Sequence, residues 1–416
     1  MADMGLLAQG LVGLAGLVGL AWLMSEDRRR VSWRVAAAGL AAQFLIAALL
    51  LKVPAAQGLF LGLNRIVDSL QAATRAGTSF VFGYIGGGAA PYAVADPASS
   101  FVLAFQALPL VLIMSALSAL LYHWRILPVV VKAMSWALER AMGLGGAVGV
   151  SSAANAFVGM VEAPLLIRPY ISVLSRGELF VVMTGGMATI AGTVMVLYAT
   201  FLAGVVPDPV GHLLTASLIS VPAAVMVAKI MIPDDARTGG GETPAAYGGS
   251  MDAVVKGTSD GVQLLINVIA MLIVLVALVS LANGALSLLP DVGDQPLTLQ
   301  RMMGWLMAPI VWLMGIPASE MVTAGALMGT KTVLNELLAY LDLARLPPEA
   351  LSVRSRIIMT YGLCGFANFG SLGIMIAGLS AMAPERRDEI VALGGRSVIS
   401  GTLASCLTGG IVGLLL

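Results

Sequence analysis

Two carboxylates stand in apolar sequence surroundings that imply burial in a membrane, about half a chain apart. Glu162 lies in Asn155-Ala-Phe-Val158-Gly159-Met160-Val161-Glu162-Ala-Pro164, and Glu336 lies in Gly329-Thr-Lys331-Thr-Val-Leu-Asn335-Glu336. An ionisable group in hydrocarbon costs roughly 2.5–3.5 kcal/mol on insertion scales, so carboxylates kept there mark a site or a path. Arg168 and Lys331 are the nearest basic residues in sequence, but neither spacing makes a same-face helix pair. Both carboxylates therefore need other partners, and vicinal hydroxyls of a polyhydroxylated ligand are one such partner. Asn155 offers an amide, Thr189 a hydroxyl, and breaks near Val158 and Ile190 would free backbone carbonyls. Together they make an oxygen cage for a small monovalent cation, or else plain hydrogen-bonding glue between helices. Phe366 could stack on a flat ring with Asn368 bonding to its edge, or could simply pack.

These groups need a membrane-spanning frame. Charged residues are 11% of the chain against about 25% in an ordinary soluble domain, and hydrophobic residues are 58%. Mean hydropathy is +0.93. The apolar runs are long and do not alternate, which implies an all-α polytopic membrane protein and excludes a β-barrel. Net charge is zero, with no basic stripe for nucleic acid. Cys364 and Cys406 read as small packing residues. His123 and His212 flank apolar runs, and no nucleophile–His pair lies within a span, which argues against an enzyme.

Runs of spanning length fall near 4–24, 31–51, 101–121, 179–205, 210–231, 263–289, 355–382 and 390–416, about eight transmembrane helices. Residues 54–75, 126–142 and 298–314 mix charge with apolar positions as interfacial amphipathic helices do. The first of these sets Leu59, Leu61, Leu63, Ile66, Val67 and Leu70 among Asn64, Arg65, Asp68 and Gln71. Residues 233–260, with Asp234, Asp235, Gly239 to Gly241 and Pro244, form the one clear hydrophilic connection. Residues 145–178 and 318–344 are too polar for plain spans, and each has room for two short helices and a turn. Irregular backbone at membrane depth is tolerated where it lines a cavity, so both read as re-entrant helical hairpins. Each precedes a span interrupted by Gly and a hydroxyl residue, at Thr189 to Thr193 and at Phe366 to Ser371. Hairpin then broken span, twice, is the pattern of a structural repeat. The first run has no basic segment before it, so no cleavable signal stands out. Arg28, Arg29, Arg30 and Arg34 place the following loop in the cytoplasm and the N-terminus outside.

Gly145-Gly146-Ala-Val-Gly149, Ala154-Asn155 through Glu162-Ala-Pro164, and Arg168-Pro169-Tyr170 together resemble the first hairpin of the concentrative nucleoside transporters. Ala188-Thr189-Ile190-Ala191-Gly192-Thr193-Val194 resembles the span that follows it in that family. Gly329-Thr-Lys331 through Asn335-Glu336-Leu337-Leu338-Ala339-Tyr340 is similar to the family signature, and Cys364-Gly365-Phe366-Ala367-Asn368-Phe369-Gly370-Ser371 and Gly401 to Cys406 look like further family segments. The likeness runs from about residue 75 to the C-terminus. It implies a homotrimer in the bacterial inner membrane whose transport domain moves as an elevator. The implied segments are an N-terminal scaffold part at 1–144 and a first transport half at 145–231. A connection with a scaffold span at 232–314 and a second transport half at 315–416 complete the chain. It implies sodium held by Asn155, Val158, Thr189 and Ile190, and a nucleobase met by Gly159, Met160, Val161, Glu162 and Val194. It further implies a ribose held by Glu336, Asn368 and Ser371, with Phe366 lining the pocket. Members often carry Gln-Thr where this chain has Met160-Val161, and members that prefer purine nucleosides resemble this chain at Gly159-Met160 and Thr193-Val194, which implies purine nucleosides. Leu337-Leu338 replaces Phe-Val in the signature, and Thr189 stands where many members have Ser. The expected function is sodium-coupled nucleoside import; the alternatives are proton coupling through a carboxylate such as Glu336 and a passive channel for small polar solutes.

Overall fold

The computed structural model describes residues 2–92, 101–239, 247–292 and 296–416, with the backbone alone at 2–4, 54–64, 67, 271 and 275. All regular structure among them is helical. The N-terminal part contains α1 (Ala2–Leu23), α2 (Trp33–Lys52), α3 (Pro54–Phe82), α4 (Leu103–Gln106), α5 (Leu110–His123) and α6 (Ile126–Met142). Next come α7 (Gly146–Ala154), α8 (Glu162–Leu165), α9 (Arg176–Ala188), α10 (Gly192–Leu202) and α11 (Pro209–Met231). The remainder is α12 (Ser250–Leu286), α13 (Leu299–Leu313), α14 (Met321–Val333), α15 (Glu336–Arg345), α16 (Val353–Leu363), α17 (Phe369–Met382) and α18 (Arg387–Leu415). Seven helices among the described residues are long and apolar enough to cross a membrane, counting 176–202 as one. The broken pair α16–α17 makes the eighth crossing. This bears out the all-helical fold of about eight spans.

The two hairpins enter from opposite ends of the bundle. The base of the first lies beside the end of α11, where Lys229 Nζ donates to the Gly143 carbonyl at 3.3 Å. The Glu26 amide donates to the Met231 carbonyl at 2.9 Å, which puts the arginine-rich loop after α1 at that same end. The second hairpin, α14–α15, opens at the other end. There Arg354 donates to the carbonyls of Gly315 at 2.7 Å and Gly413 at 2.6 Å, joining its base to the end of α18. The hairpin tips therefore approach each other inside the bundle.

Three expectations change in detail. The second arm of the first hairpin is short, α8 followed by a 3₁₀ turn at Arg168–Tyr170. Pro169 lacks a donor and biases the residue before it away from helix, so a regular second arm cannot continue. Helix α12 begins at Ser250 rather than near 263. Its polar first turns are held by an Asp252–Lys256 pair at 2.9 Å, and Gly257 and Gly261 sit against α5 at Ala119, Ser115 and Leu112. The hydrophilic connection is pinned at its start: Thr238 donates from its amide and its hydroxyl to the two Glu178 oxygens, each at 2.6 Å. Gly240, Gly241 and Pro244 lie outside the described residues, as do the side chains of Leu59, Leu61, Leu63, Asn64 and Val67 of the expected interfacial helix.

An ion-pair cluster ties the loop after α1 to the helix ends beside it. Glu26 accepts from Arg176 at 2.9 Å and from Arg396, while Arg386 donates to the carbonyls of Ile171 and Leu174 and to Glu389. The hydrogen bond from Arg176, with the positive charges of Arg176 and Arg396, holds the Glu26 carboxyl below its ordinary range despite some burial. A carboxylate lowered on folding stabilises above its unfolded pKa of about 4.3 and loses that contribution as pH falls through its folded value. The pair is partly exposed, so its worth is about 1 kcal/mol at most. Glu26→Gln is expected to lower the melting temperature in detergent by about 2 °C at pH 7. That gap should narrow below the ordinary carboxylate range, as read by intrinsic fluorescence at both pH values.

Candidate functional site

The site is a crossing of broken helices. Between α9 and α10 the backbone leaves the helix at Thr189, Ile190 and Ala191, and between α16 and α17 it leaves at 364–368. Freed backbone groups in a dry interior must find partners. The Gly192 amide donates to the Phe157 carbonyl of the first hairpin tip at 2.9 Å, and the Phe366 amide donates to the Thr189 carbonyl at 3.2 Å. Gly365 makes this approach possible: an added Cβ would fall 2.9 Å from Met187 O, 3.0 Å from Ala188 O and 2.8 Å from Ser405 Oγ.

Glu336 opens α15, behind Asn335, whose side chain accepts from the Leu338 amide at 2.9 Å. A carboxylate on a first helical turn is favoured by the helix dipole. Glu336 is buried and both of its oxygens are engaged. Tyr198 donates to Oε1 at 2.7 Å, and Asn368 Nδ2 donates to Oε2 at 2.9 Å. Asn368 Oδ1 accepts from the Ser371 amide at 2.7 Å, so one side chain caps α17 and holds Glu336. A carboxylate has about four lone-pair sites. Two remain for a ligand, and the partners that Lys331 does not supply by its spacing are Tyr198 and Asn368. Tyr198 was not singled out from the sequence. The available signal was a polar-tipped aromatic within an apolar span, four residues after Val194 on the same face. It also packs against Tyr340, with ring centroids 4.9 Å apart.

The first hairpin tip is arranged differently. Asn155 is fully buried, and neither Oδ1 nor Nδ2 has a hydrogen-bond partner. Its amide nitrogen lies against Gly185, where an added Cβ would come within 3.2 Å. Thr189 donates to the Gly185 carbonyl at 2.9 Å, which leaves its oxygen lone pairs free to accept. Val158 and Ile190 lie in the two non-helical breaks. The donor set is all oxygen and centres on an orphaned buried amide, which fits a small hard cation. Ser151 and Ser152, one turn earlier, also carry buried hydroxyls without partners.

Met160 packs its Cβ on Gly186, and Val161 packs on Gly378 of α17, which links this tip to the second broken span. The Glu162 carboxylate lies directly over Gly159, so a side chain added there would displace it. Glu162 is exposed in the chain, unlike Glu336, which corrects the equal burial expected of the two. No hydrogen bond joins it to the Glu336 cluster among the described residues. Val194 and Ser371 are buried and Phe366 is half-buried. A separate cavity of about 600 Å³, lined by Asp68, Gln71, Pro207, Asp208 and Val353 among others, contains none of these residues. Gly365→Ala should cost about 1–3 kcal/mol through overpacking. Gly373→Ala, with nothing within 4 Å of the new Cβ, should not. Thermal melting of the two purified variants makes the comparison.

Three family models match the chain: Na+ dependent nucleoside transporter C-terminus over residues 212–413, Na+ dependent nucleoside transporter N-terminus over 12–85, and nucleoside recognition "Gate" over 104–204. An uncharacterised transporter of Haemophilus influenzae is 38% identical over 98% of this chain and 97% of its own length. The nucleoside permease NupC of Helicobacter pylori is 33% identical over 98% and 97%. The solved structure of CNTnw in an inward-facing substrate-bound state superposes with a TM-score of 0.88 at 34% identity, covering 98% of this chain and 97% of that one. A doubly substituted variant of CNTnw in an outward-facing state gives 0.87, with the same identity and coverage. With these likenesses spanning nearly the whole chain, the protein belongs to the concentrative, Na+-dependent nucleoside transporter family and is a multi-pass membrane transporter, not an enzyme.

Proposed function

We propose that this chain imports nucleosides by sodium symport, with an elevator-type motion, and that it prefers purine nucleosides. The observation that carries the reading is Glu336. Its oxygens are oriented by Tyr198 and Asn368, each with a lone pair left, which suits the vicinal hydroxyls of a ribose. Ser371 stands one helical turn from Asn368, and Phe366 borders the same break. The base then lies towards Gly159, Met160, Val161, Glu162 and Val194. That side is mostly apolar, and an extended purine surface gains more from it than a pyrimidine does.

Sodium is the cargo that couples the cycle, held by Asn155 Oδ1, Thr189 Oγ1 and the carbonyls of Val158 and Ile190. Those ligands come from the hairpin tip and from the α9–α10 break, so the ion orders the tip that meets the base. Sodium then raises nucleoside affinity, and linkage requires the converse. One cation moving inward across 100 mV contributes about 2.3 kcal/mol, close to 50-fold accumulation.

The moving body consists of both hairpins, α9–α11 and α16–α18. Helices α1 and α2 travel with it, because they pack on α18 and α11. This refines the division that groups 1–144 with the scaffold. Helix α12 rests on α5 and meets the start of α13 through Asn283, and most of its remaining surface is exposed, which supports a homotrimer built on the α5–α12 pair. The arginine-rich loop beside the first hairpin base supports a cytoplasmic position for that end, with the chain in a bacterial inner membrane.

In proteoliposomes, an inward sodium gradient should drive saturable adenosine uptake that uridine competes with poorly. Uptake driven by a proton gradient alone would move the coupling to a carboxylate, and non-saturable uptake would indicate a channel. Tyr198→Phe should raise the KM for the nucleoside about tenfold, since a hydrogen bond to a charged group is worth about 1.5–3 kcal/mol. A 2′,3′-dideoxynucleoside should be a poor substrate for the parent and lose little more in the variant. Equal transport of the dideoxy compound by the parent would sink the ribose assignment.

A further inference from the structure

Lys331 is a lysine with no exposed surface in the heart of the bundle, and the transport reading above gives it no task. It lies in the last turn of α14, the first arm of the second hairpin. Its ammonium donates to the Gly362 carbonyl at 3.0 Å and to Ser405 Oγ at 3.3 Å. Ser405 donates its hydroxyl hydrogen bond to the Gly401 carbonyl, so its oxygen accepts from the lysine. Gly362 is the penultimate residue of α16, which ends inside the bundle, so its carbonyl is one of those a helix end leaves without a helical partner.

The first hairpin has a similar arrangement, with the buried Asn155 amide against Gly185 near the end of α9. There the first arm, α7, ends at Ala154, just before Asn155, and α9 ends at Ala188, just before Thr189 and Ile190. In each half, then, a hairpin's first arm and the C-terminus of a half-helix converge. Each such C-terminus carries about half a negative charge. The two ends also abut. Met187 O, Ala188 O and Ser405 Oγ converge within 3.0 Å of the position a Gly365 Cβ would take, and Ser405 is the residue Lys331 holds. Two negative helix ends brought together in a low-dielectric interior each require a cation.

We propose that the Lys331 ammonium is a tethered counterpart of the coupling cation, occupying in the second half the place that sodium takes in the first. The inference rests on the sodium assignment to Asn155 and Thr189. It explains how a repeat with two equivalent cation-attracting ends works with one mobile ion at this pair: the second charge is built into the chain and travels with the body. Removing the tether opens the position to a second mobile cation.

The test measures equilibrium binding of labelled adenosine to the purified full chain, with sodium titrated against choline. In Lys331→Ala the Hill coefficient for sodium should rise by about one over the parent, as a new site demands. Methylammonium, a free substitute for the lost side-chain tip, should return it to the parent value. Lys331→Met removes the charge but fills the volume, leaves no room for an ion, and should keep the parent coefficient. An unchanged coefficient in folded Lys331→Ala, or a raised one that methylammonium does not alter, overturns the proposal. Melting temperature gives a second readout. Lys331→Ala that survives purification in methylammonium but not in choline supports the cation requirement, and Lys331→Ala that survives in neither salt overturns it. Adenosine binding by the parent that ignores sodium sinks the symport reading and this proposal with it, whereas sodium-dependent binding in the parent with an unchanged coefficient in folded Lys331→Ala sinks this proposal alone.

Discussion

Backbone amides and carbonyls freed where a membrane helix breaks have no water to turn to, and leaving them bare costs several kcal/mol apiece. This chain breaks two spans and folds two hairpins at the same depth, so their loose ends must satisfy one another. Phe157 O accepts from Gly192, and Thr189 O accepts from Phe366. Those two bonds join the first hairpin tip to the first broken span, and the first broken span to the second. The Gly residues at 192 and 365 are required because backbone approaches backbone there: an added Cβ at Gly192 would lie 2.8 Å from Phe157 O. The rest of the bundle serves to hold four interrupted segments in that register.

Electrostatics follows from the same breaks. Half-helix N-termini attract anionic groups and C-termini attract cations. Glu336 sits on the first turn of α15, and Asn335 and Asn368 cap α15 and α17 with their side-chain oxygens. The C-termini of α9 and α16 face the orphaned Asn155 amide and the Lys331 ammonium. Charges that would be prohibitive on a lipid-facing helix are thus set against fixed dipoles. The arrangement of opposed hairpins around a midplane crossing is shared with a transporter captured in both inward-facing and outward-facing states.

Much of this was readable from composition and pattern. Long apolar runs gave the spans, and their interruption by Asn, Gly and Pro gave the hairpins. The recurring order of hairpin and broken span gave the repeat, and two costly carboxylates pointed to the site. Where the reading missed, the cause was local chemistry. Pro169 cut short an arm drawn as a regular helix. The polar start of α12 looked like connection, because an exposed helical turn held by Asp252 and Lys256 carries no apolar signal. The burial of Glu162 was overestimated, since an apolar flank says nothing of whether a tip faces protein or an opening.

The chain by itself determined which residues are helical, where helices must stop, and which side chains are too costly to be there without a purpose. Those properties depend on neighbours within a turn or two, and local periodicity and capping residues encode them. Tertiary structure alone decided the partners. Tyr198 meets Glu336 across 138 positions, and Lys331 meets Gly362 across 31 and Ser405 across 74. Such pairings depend on which helix faces meet after packing. A hydrophobic pattern specifies that a face is buried but not against what, so the donors and acceptors of the site took their roles only once the broken helices had crossed.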